Sequence, residues 1–194
     1  MDEFKLTIEK PVVIDIGAGP HPRADATECM DVHEWTSTTK KHDLHQFPYP
    51  YEDNYADKIY LGDVIEHLVC FAAPLVICEI HRILKPGGTF EITCPDVLWV
   101  MERIVKGDWK EKANVPWLNV YDDPWEDAMS YLFGGFHNVN EYKMQGMGHV
   151  NAFDEKALKG LLEKNGFVDC IRTADLRNPE PARNSVIKII CRKP

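Results

Sequence analysis

Short apolar runs alternate along this chain with stretches of helical periodicity, and that alternation predicts an α/β fold. Val12-Val13-Ile14-Asp15-Ile16 reads as a first strand, ended by the loop Gly17-Ala18-Gly19-Pro20. A second strand is expected at residues 28–32 and a weak third ending near Asp43. The proline- and acid-rich stretch 47–57 reads as a loop before a fourth strand at 58–61. A helix follows in two pieces. The first covers 64–69, and the second is opened by Pro74, since proline is tolerated at a first helical position. Leu75, Cys78, Ile77, His81 and Leu84 recur there at helical spacing. Lys85-Pro86-Gly87-Gly88 predicts a stop and turn ahead of a fifth strand at 89–94, with Phe90, Ile92 and Cys94 on one face. Near the end, Asp154 is placed to cap a helix whose apolar face is Ala157, Leu158, Leu161 and Leu162, and Gly166 to close it. Two further strands are expected at 167–173 and 186–191, joined by a hairpin loop around 179–183.

Residues 97–149 break this rhythm. They hold Trp99, Trp109, Trp117 and Trp125, together with Tyr121, Tyr131, Phe133, Phe136 and Tyr142 and the glycines 134, 135 and 146. The expectation is one domain, 1–194, with 97–149 as an insertion that is helical near 98–105 and packs over the sheet on the acceptor side. Its aromatics then either wall a pocket or form the small core of a cap, and its glycines permit hinges.

Charge and cysteine usage narrow the class. A net charge of −9, from 22 basic and 31 acidic residues, disfavours a broad nucleic-acid footprint. Cys29, Cys70, Cys78, Cys94, Cys170 and Cys191 form no CxxC pair and no metal-type spacing, so buried free thiols in a reducing compartment are expected. Residues 1–10 lack an apolar signal core, and no apolar run reaches the length of a membrane span, so a cytoplasmic protein is expected.

The sharpest chemical signal is the strand that runs into Gly17-Ala18-Gly19. Glycine lets backbone approach a ligand without a Cβ in the way, and ligands of open α/β sheets sit at the carboxyl ends of the strands. Asp15 can hold the loop amides or a ligand amine. Asp31, 16 residues later at the end of the second strand, can take the hydroxyls of a ribose. A dinucleotide site would want a third glycine and a helix facing the pyrophosphate. Here Pro20-His21-Pro22 follows, and about eleven residues separate the first two strands, which leaves little room for that helix. A nicotinamide dehydrogenase is therefore the weaker reading, and a cationic cofactor without phosphate the better one.

With these residues in view, the chain resembles a class I S-adenosylmethionine-dependent methyltransferase of the small methyltransferase type 11 kind. The resemblance covers about residues 11–96 and 149–170. It is carried by Asp15-Ile16-Gly17-Ala18-Gly19, by Asp31-Val32, by His42-Asp43-Leu44 with the 47–54 loop, by Ala56–Leu68 and by Glu79–Gly88, in that order. It implies a Rossmann-like sheet of seven strands, mostly parallel with the last antiparallel, and a shortened first helix. It also implies S-adenosylmethionine as cofactor. Gly17, Ala18 and Gly19 would line the methionine moiety, Asp31 with Val32 the ribose, and Asp43 and Leu44 the adenine, with Asp15 and Pro20 in the same pocket. Leu61 and Gly62 would offer backbone groups to the amino-acid end.

Methyl transfer needs proximity and orientation first, and a base only when the acceptor must lose a proton. Asp63 is expected to line the site near the methyl group, and His149 is a candidate base. Asp96, His137 and His21 are weaker candidates. Asp63, Glu66 and His67 also resemble the Glu-x-x-Glu-His cluster of metal-dependent methyltransferases, a set that His149 or His137 would complete; without a metal, Glu66 and His67 make structural contacts. The expected activity is methyl transfer to an oxygen or nitrogen of a small-molecule or glycan-type acceptor. The alternatives are a non-catalytic cofactor-binding partner subunit and a metal-dependent O-methyltransferase.

Overall fold

A computed structural model describes residues 10–107, 124–134, 148–174 and 185–194. Seven strands form one sheet: β1 Val13–Ile16, β2 Glu28–Asp31, β3 Thr39–Lys41, β4 Ala56–Gly62, β5 Leu84–Pro95, β6 Val168–Arg172 and β7 Val186–Arg192. Their order across the sheet is β3-β2-β1-β4-β5-β7-β6. The first five run parallel, and β7 lies antiparallel between β5 and β6. Among the described residues, the helices are α1 Ala73–Ile83, α2 Val97–Lys106, α3 Pro124–Phe133 and α4 Glu155–Lys164.

The two faces of the sheet differ because side chains alternate along each strand. Register places Ile14, Ile59, Phe90 and Cys191 in one row and Ile16, Leu61, Ile92 and Ile189 in the next. All eight are buried in the main core. Val76, Ile77, Ile80 and Ile83 of α1 and Leu158 and Leu162 of α4 belong to the same core. At about 1.5–3 kcal/mol for each fully buried aliphatic side chain, this face drives the fold.

The opposite face is polar. Asp15, Tyr60 and Glu91 share a row. Glu91 meets Lys188 at 2.8 Å, Arg23 at 3.4 Å and Lys58 at 3.7 Å. Arg23 and Lys58 both lie over the Tyr60 ring, whose hydroxyl donates to Asp25 at 2.7 Å. Residues 17–27, where a first helix would lie, make only turns. An ion-paired patch on the β4, β5 and β7 strands therefore lies on the side that this helix would otherwise cover.

Three local expectations are corrected. The helix stops as expected, at Ile83, but the turn at 85–88 is a bulge inside β5: Leu84 pairs with Ala56 and Thr89 with Lys58, so four residues oppose one. Gly88 is required there, since a Cβ would meet the Lys85 carbonyl at 2.8 Å. Leu75 and Cys78 face solvent rather than the core, and so does Ala157 on α4. The 64–69 helix is a single 3-10 turn, Ile65–His67. The expected thiol burial holds for Cys29, Cys94 and Cys191, whereas Cys70 and Cys78 are exposed; all six are free.

Two anchors join the loops to this frame. Arg82 donates twice to Glu79, and to the carbonyls of Tyr49 and Tyr51 and to Asp53, which ties the 47–54 loop to α1. Asp154 caps α4 by accepting from the Ala157 amide at 2.7 Å. Trp99, Val100, Ala128 and Tyr131 form a second small core between α2 and α3. Of the aromatics expected in the insertion, Trp109, Trp117, Tyr121, Phe136 and Tyr142 lie outside the described residues, as do His137, Gly135, Gly146 and the 179–183 loop.

Candidate active site at the carboxyl ends of the strands

Strand order reverses between β1 and β4, and crevices outside such switch points are where open α/β sheets bind ligands. At the end of β1, Gly17 and Gly19 adopt φ of 69° and 60°, left-handed conformations natural to glycine. Their roles differ. A Cβ on Gly17 would lie 2.2 Å from Val64 Cγ2, so this glycine lets the loop close on the segment after β4. A Cβ on Gly19 would meet nothing within 4 Å, so that side of the loop is open to a ligand. Asp15, buried, accepts the Arg23 amide at 2.8 Å and thereby fixes the far end of the loop. Burial raises its carboxyl above the ordinary value.

Asp31 closes the cradle from β2. Its Oδ2 accepts the Gly19 amide at 3.0 Å, and its Oδ1 accepts the His33 amide at 2.8 Å and Trp35 Nε1 at 3.1 Å. A carboxylate offers about four acceptor sites, so one remains. Val32 is half-buried beside it, and Pro20 and His21 are exposed past the glycines. After β3, Asp43 accepts both the amide and Nδ1 of His45 at 2.9 Å. The Leu44 side chain joins the core, and its carbonyl accepts the Tyr49 hydroxyl. At the end of β4, Leu61 is buried and Gly62 exposed. The residues expected around a cofactor thus lie along the same end of four adjacent strands, a width of roughly 14 Å at about 4.8 Å per strand.

Asp63 follows directly, in a left-handed conformation with φ of 55°. Its amide donates to the Thr93 carbonyl, and its Oδ1 accepts the Thr93 hydroxyl at 3.1 Å. This bridge between the ends of β4 and β5 sets the carboxylate at the mouth of the crevice. Asp96 is taken up elsewhere: it caps α2 through the Trp99 amide and pairs with Arg172, which also pairs with Glu155. The open hollow beside that group is bordered by Glu155 and Lys159, which pair with each other.

His149 arrives beside the 3-10 turn because the Val150 and Asn151 amides both donate to the Glu66 carbonyl. Glu66, His67 and His149 each place a ligand-type atom within 4.8 Å of the others. His67 Nδ1 lies 3.1 Å from the Gly148 carbonyl. The His67 and His149 rings meet edge to face at 4.8 Å. Burial lowers both imidazoles, and His149, facing His67 as well, falls to about 4. A base works best with a pKa near the working pH, and the His149 imidazole lies below that range. Asp63 does not join this cluster.

Sequence reasoning missed three residues here. Trp35 completes the Asp31 cradle, and as the tryptophan outside the insertion, four positions past Asp31, it carried a usable hint. Thr93 holds Asp63, and Arg23 joins the loop to Glu91 across 68 positions, for which no local pattern exists.

Comparison with known proteins agrees with this arrangement. A family model described as a methyltransferase domain matches residues 4–170. No curated protein matches the chain. A Thermotoga maritima S-adenosylmethionine-dependent methyltransferase superposes with a TM-score of 0.59 at 13% identity, over 97% of this chain and 84% of its own. One from Archaeoglobus fulgidus gives 0.58 at 14%, over 94% and 86%. A Haloferax volcanii structure, a complex with the Trm112 methyltransferase activator, gives 0.56 at 13%, over 96% and 84%. Likenesses at such identity speak for the fold, while the family match spans most of the sequence. This chain belongs to the methyltransferase domain family and is a class I S-adenosylmethionine-dependent methyltransferase.

Proposed function

We propose that this methyltransferase acts on an oxygen or nitrogen of a small-molecule or glycan-type acceptor, as a single domain whose 97–149 segment caps the acceptor side. The observation that carries the cofactor side of this reading is the Gly19 amide bonded to Asp31 beside the open face of the glycine loop. It joins the end of β1 and the tip of β2 in one cradle that a nucleoside bearing an amino-acid arm fits. Asp31 would hold the ribose. A diol needs two acceptor sites and one remains, so one present donor must withdraw; Trp35, 37% exposed, is the one free to do so. Gly17, Ala18, Gly19 and Pro20, with Asp15 behind them, would line the methionine arm. Val32 would flank the ribose, Asp43 and Leu44 the adenine, and the Leu61 and Gly62 backbone the amino-acid end.

The cofactor supplies a methyl group on a sulfonium, whose S–C bond breaks as the acceptor's bond to carbon forms. The protein aligns the two. Asp63, pinned by Thr93, would orient the acceptor and take its proton when the acceptor is a hydroxyl or protonated amine. The acidic balance of the chain favours a neutral or cationic acceptor over nucleic acid.

Labelling decides it. Methyl-labelled cofactor with pooled hydroxyl- and amine-bearing metabolites and oligosaccharides should give a labelled small product. Asp63→Asn should lower kcat by about 10²–10⁴ and leave S-adenosylhomocysteine affinity within a few fold. Label in protein or nucleic acid alone would sink the small-acceptor reading. A second reading, that activity requires a protein partner, takes its support from the Haloferax volcanii complex with an activator. It predicts an active complex in native lysate and an inactive purified chain, which size exclusion with activity assays separates.

A further inference from the structure

We propose that Glu66, His67 and His149 form a binding site for one divalent transition-metal ion, zinc by the chemistry of the donor set. Two imidazoles and one carboxylate are the three protein ligands of many catalytic zinc sites, which keep a further position open. Imidazole nitrogen also steers the choice away from magnesium and calcium, which take oxygen ligands.

Three independent features place the donors together. Glu66 and His67 are adjacent on one 3-10 turn, with Glu66 only 3% exposed. His149 is brought to them from 82 positions away by the paired amides of Val150 and Asn151 on the Glu66 carbonyl. His67 has the Gly148 carbonyl 3.1 Å from its Nδ1, which leaves Nε2 for an ion. Metal-bound histidines have this arrangement, because the second bond fixes which nitrogen faces the ion.

Two ligands at about 2.1 Å from a tetrahedral zinc lie about 3.4 Å apart. The donor atoms here all lie within 4.8 Å of one another. A pair at that limit must approach by roughly 1.4 Å, a movement left to rotation of the half-buried His67 and His149 side chains. Glu91, by contrast, is buried among three cations and has no imidazole near.

An ion held there lies at the end of β5 and the start of the cap, since Pro95, Val97, Tyr131 and Leu132 border the same small cavity. Its open position would receive an acceptor oxygen, which makes a hydroxyl the favoured acceptor. That consequence rests on the methyl-transfer reading; metal binding does not.

The test uses the full chain, stripped with EDTA, and zinc or cobalt(II) alone as probe. Titration with zinc, followed by calorimetry and by metal content after desalting, should give one ion per chain. Cobalt(II) should give visible bands without the near-ultraviolet thiolate charge-transfer band that Cys70 or Cys78 would produce. Glu66→Gln and His149→Gln should each weaken binding by at least about tenfold, while His45→Gln should not. If a variant fails to fold, judged by far-ultraviolet dichroism in EDTA, the cobalt spectrum of the native chain decides. Absence of binding at micromolar zinc, a thiolate band, or affinity unchanged in folded Glu66→Gln and His149→Gln overturns the proposal. S-adenosylhomocysteine binding measured in EDTA keeps this failure distinct from failure of the methyltransferase reading.

Discussion

The two faces of the sheet solve different problems with the same strands. Towards α1 and α4, Ile14, Ile16, Ile59, Leu61, Phe90 and Ile92 are all fully buried and carry the hydrophobic stabilisation. Away from them, Asp15, Lys58, Tyr60 and Glu91 make ion pairs, hydrogen bonds and ring contacts on the side where a first helix is missing. Between β1 and β2 the chain makes only a tight loop from Gly17 to Thr27, tied to the polar face through Asp15 and through Arg23 on Glu91. The proposed cofactor cradle is built on that loop. The stable face supports the strand ends, and the polar face sets the loop that leaves them.

The largest effect expected is on the apolar face. Ile77→Ala and Ile80→Ala, each removing a fully buried side chain, should cost about 2–5 kcal/mol by denaturant unfolding, against less than about 1 kcal/mol for Tyr60→Phe on the polar face. Equal losses on both faces would break the contrast. Gly17→Ala comes next. A left-handed alanine costs about 1–2 kcal/mol, and the clash with Val64 adds to it. The double variant Gly17→Ala with Val64→Ala should recover the clash part, and a non-additivity below measurement error would refute the Gly17–Val64 contact as the reason for glycine.

Glu91→Gln should cost about 1–3 kcal/mol, since its carboxylate is 6% exposed amid Lys188, Lys58 and Arg23. It should also loosen the loop through Arg23, seen as faster amide exchange at Gly19. A smaller, pH-dependent effect belongs to the 47–54 loop. Arg82 holds the Glu79 carboxyl below its ordinary 4.5. The folded value is depressed, so the pair's contribution is complete above 4.5 and disappears as the pH falls through the lower folded value. Arg82→Met should flatten that part of the stability profile by about 1 kcal/mol, and an unchanged slope would show that Glu79 does not carry it. Smallest of all, Cys70 and Cys78 should alkylate fast in the native chain while Cys29, Cys94 and Cys191 stay silent until unfolding.

How far the sequence reached follows from the range of the forces involved. Strand identity, the glycine loop, Asp31 and the Asp154 cap are set by neighbours within a few positions, and the structure has them at or near the expected places. The β5 bulge read as a turn ahead of the strand because Pro86, Gly87 and Gly88 look alike in a turn and in a strand kink; only the Ala56 to Lys58 pairing on β4 distinguishes them. Leu75 pointed outward because α1 turns Val76, Ile77 and Ile80 to the sheet, and Leu75 shares helical spacing with Cys78 as readily as with the core. The place of Asp63 at the end of β4 was legible, but its clamp by Thr93 was not. The Glu66, His67 and His149 cluster was half legible: the adjacent pair stands in the sequence, whereas the return of the chain onto the Glu66 carbonyl is a tertiary event.

Calorimetric titration of the native chain with S-adenosylhomocysteine, repeated with NAD and with an Asp31→Ala chain of unchanged dichroism, tests the central claim most directly. The account predicts one site for S-adenosylhomocysteine, no heat with NAD, at least about a tenfold loss on removing the Asp31 carboxylate, and a Trp35 fluorescence change that tracks occupancy. Binding of NAD in preference, or S-adenosylhomocysteine affinity untouched by Asp31→Ala, would contradict a cofactor cradle built from the glycine loop and the tip of β2.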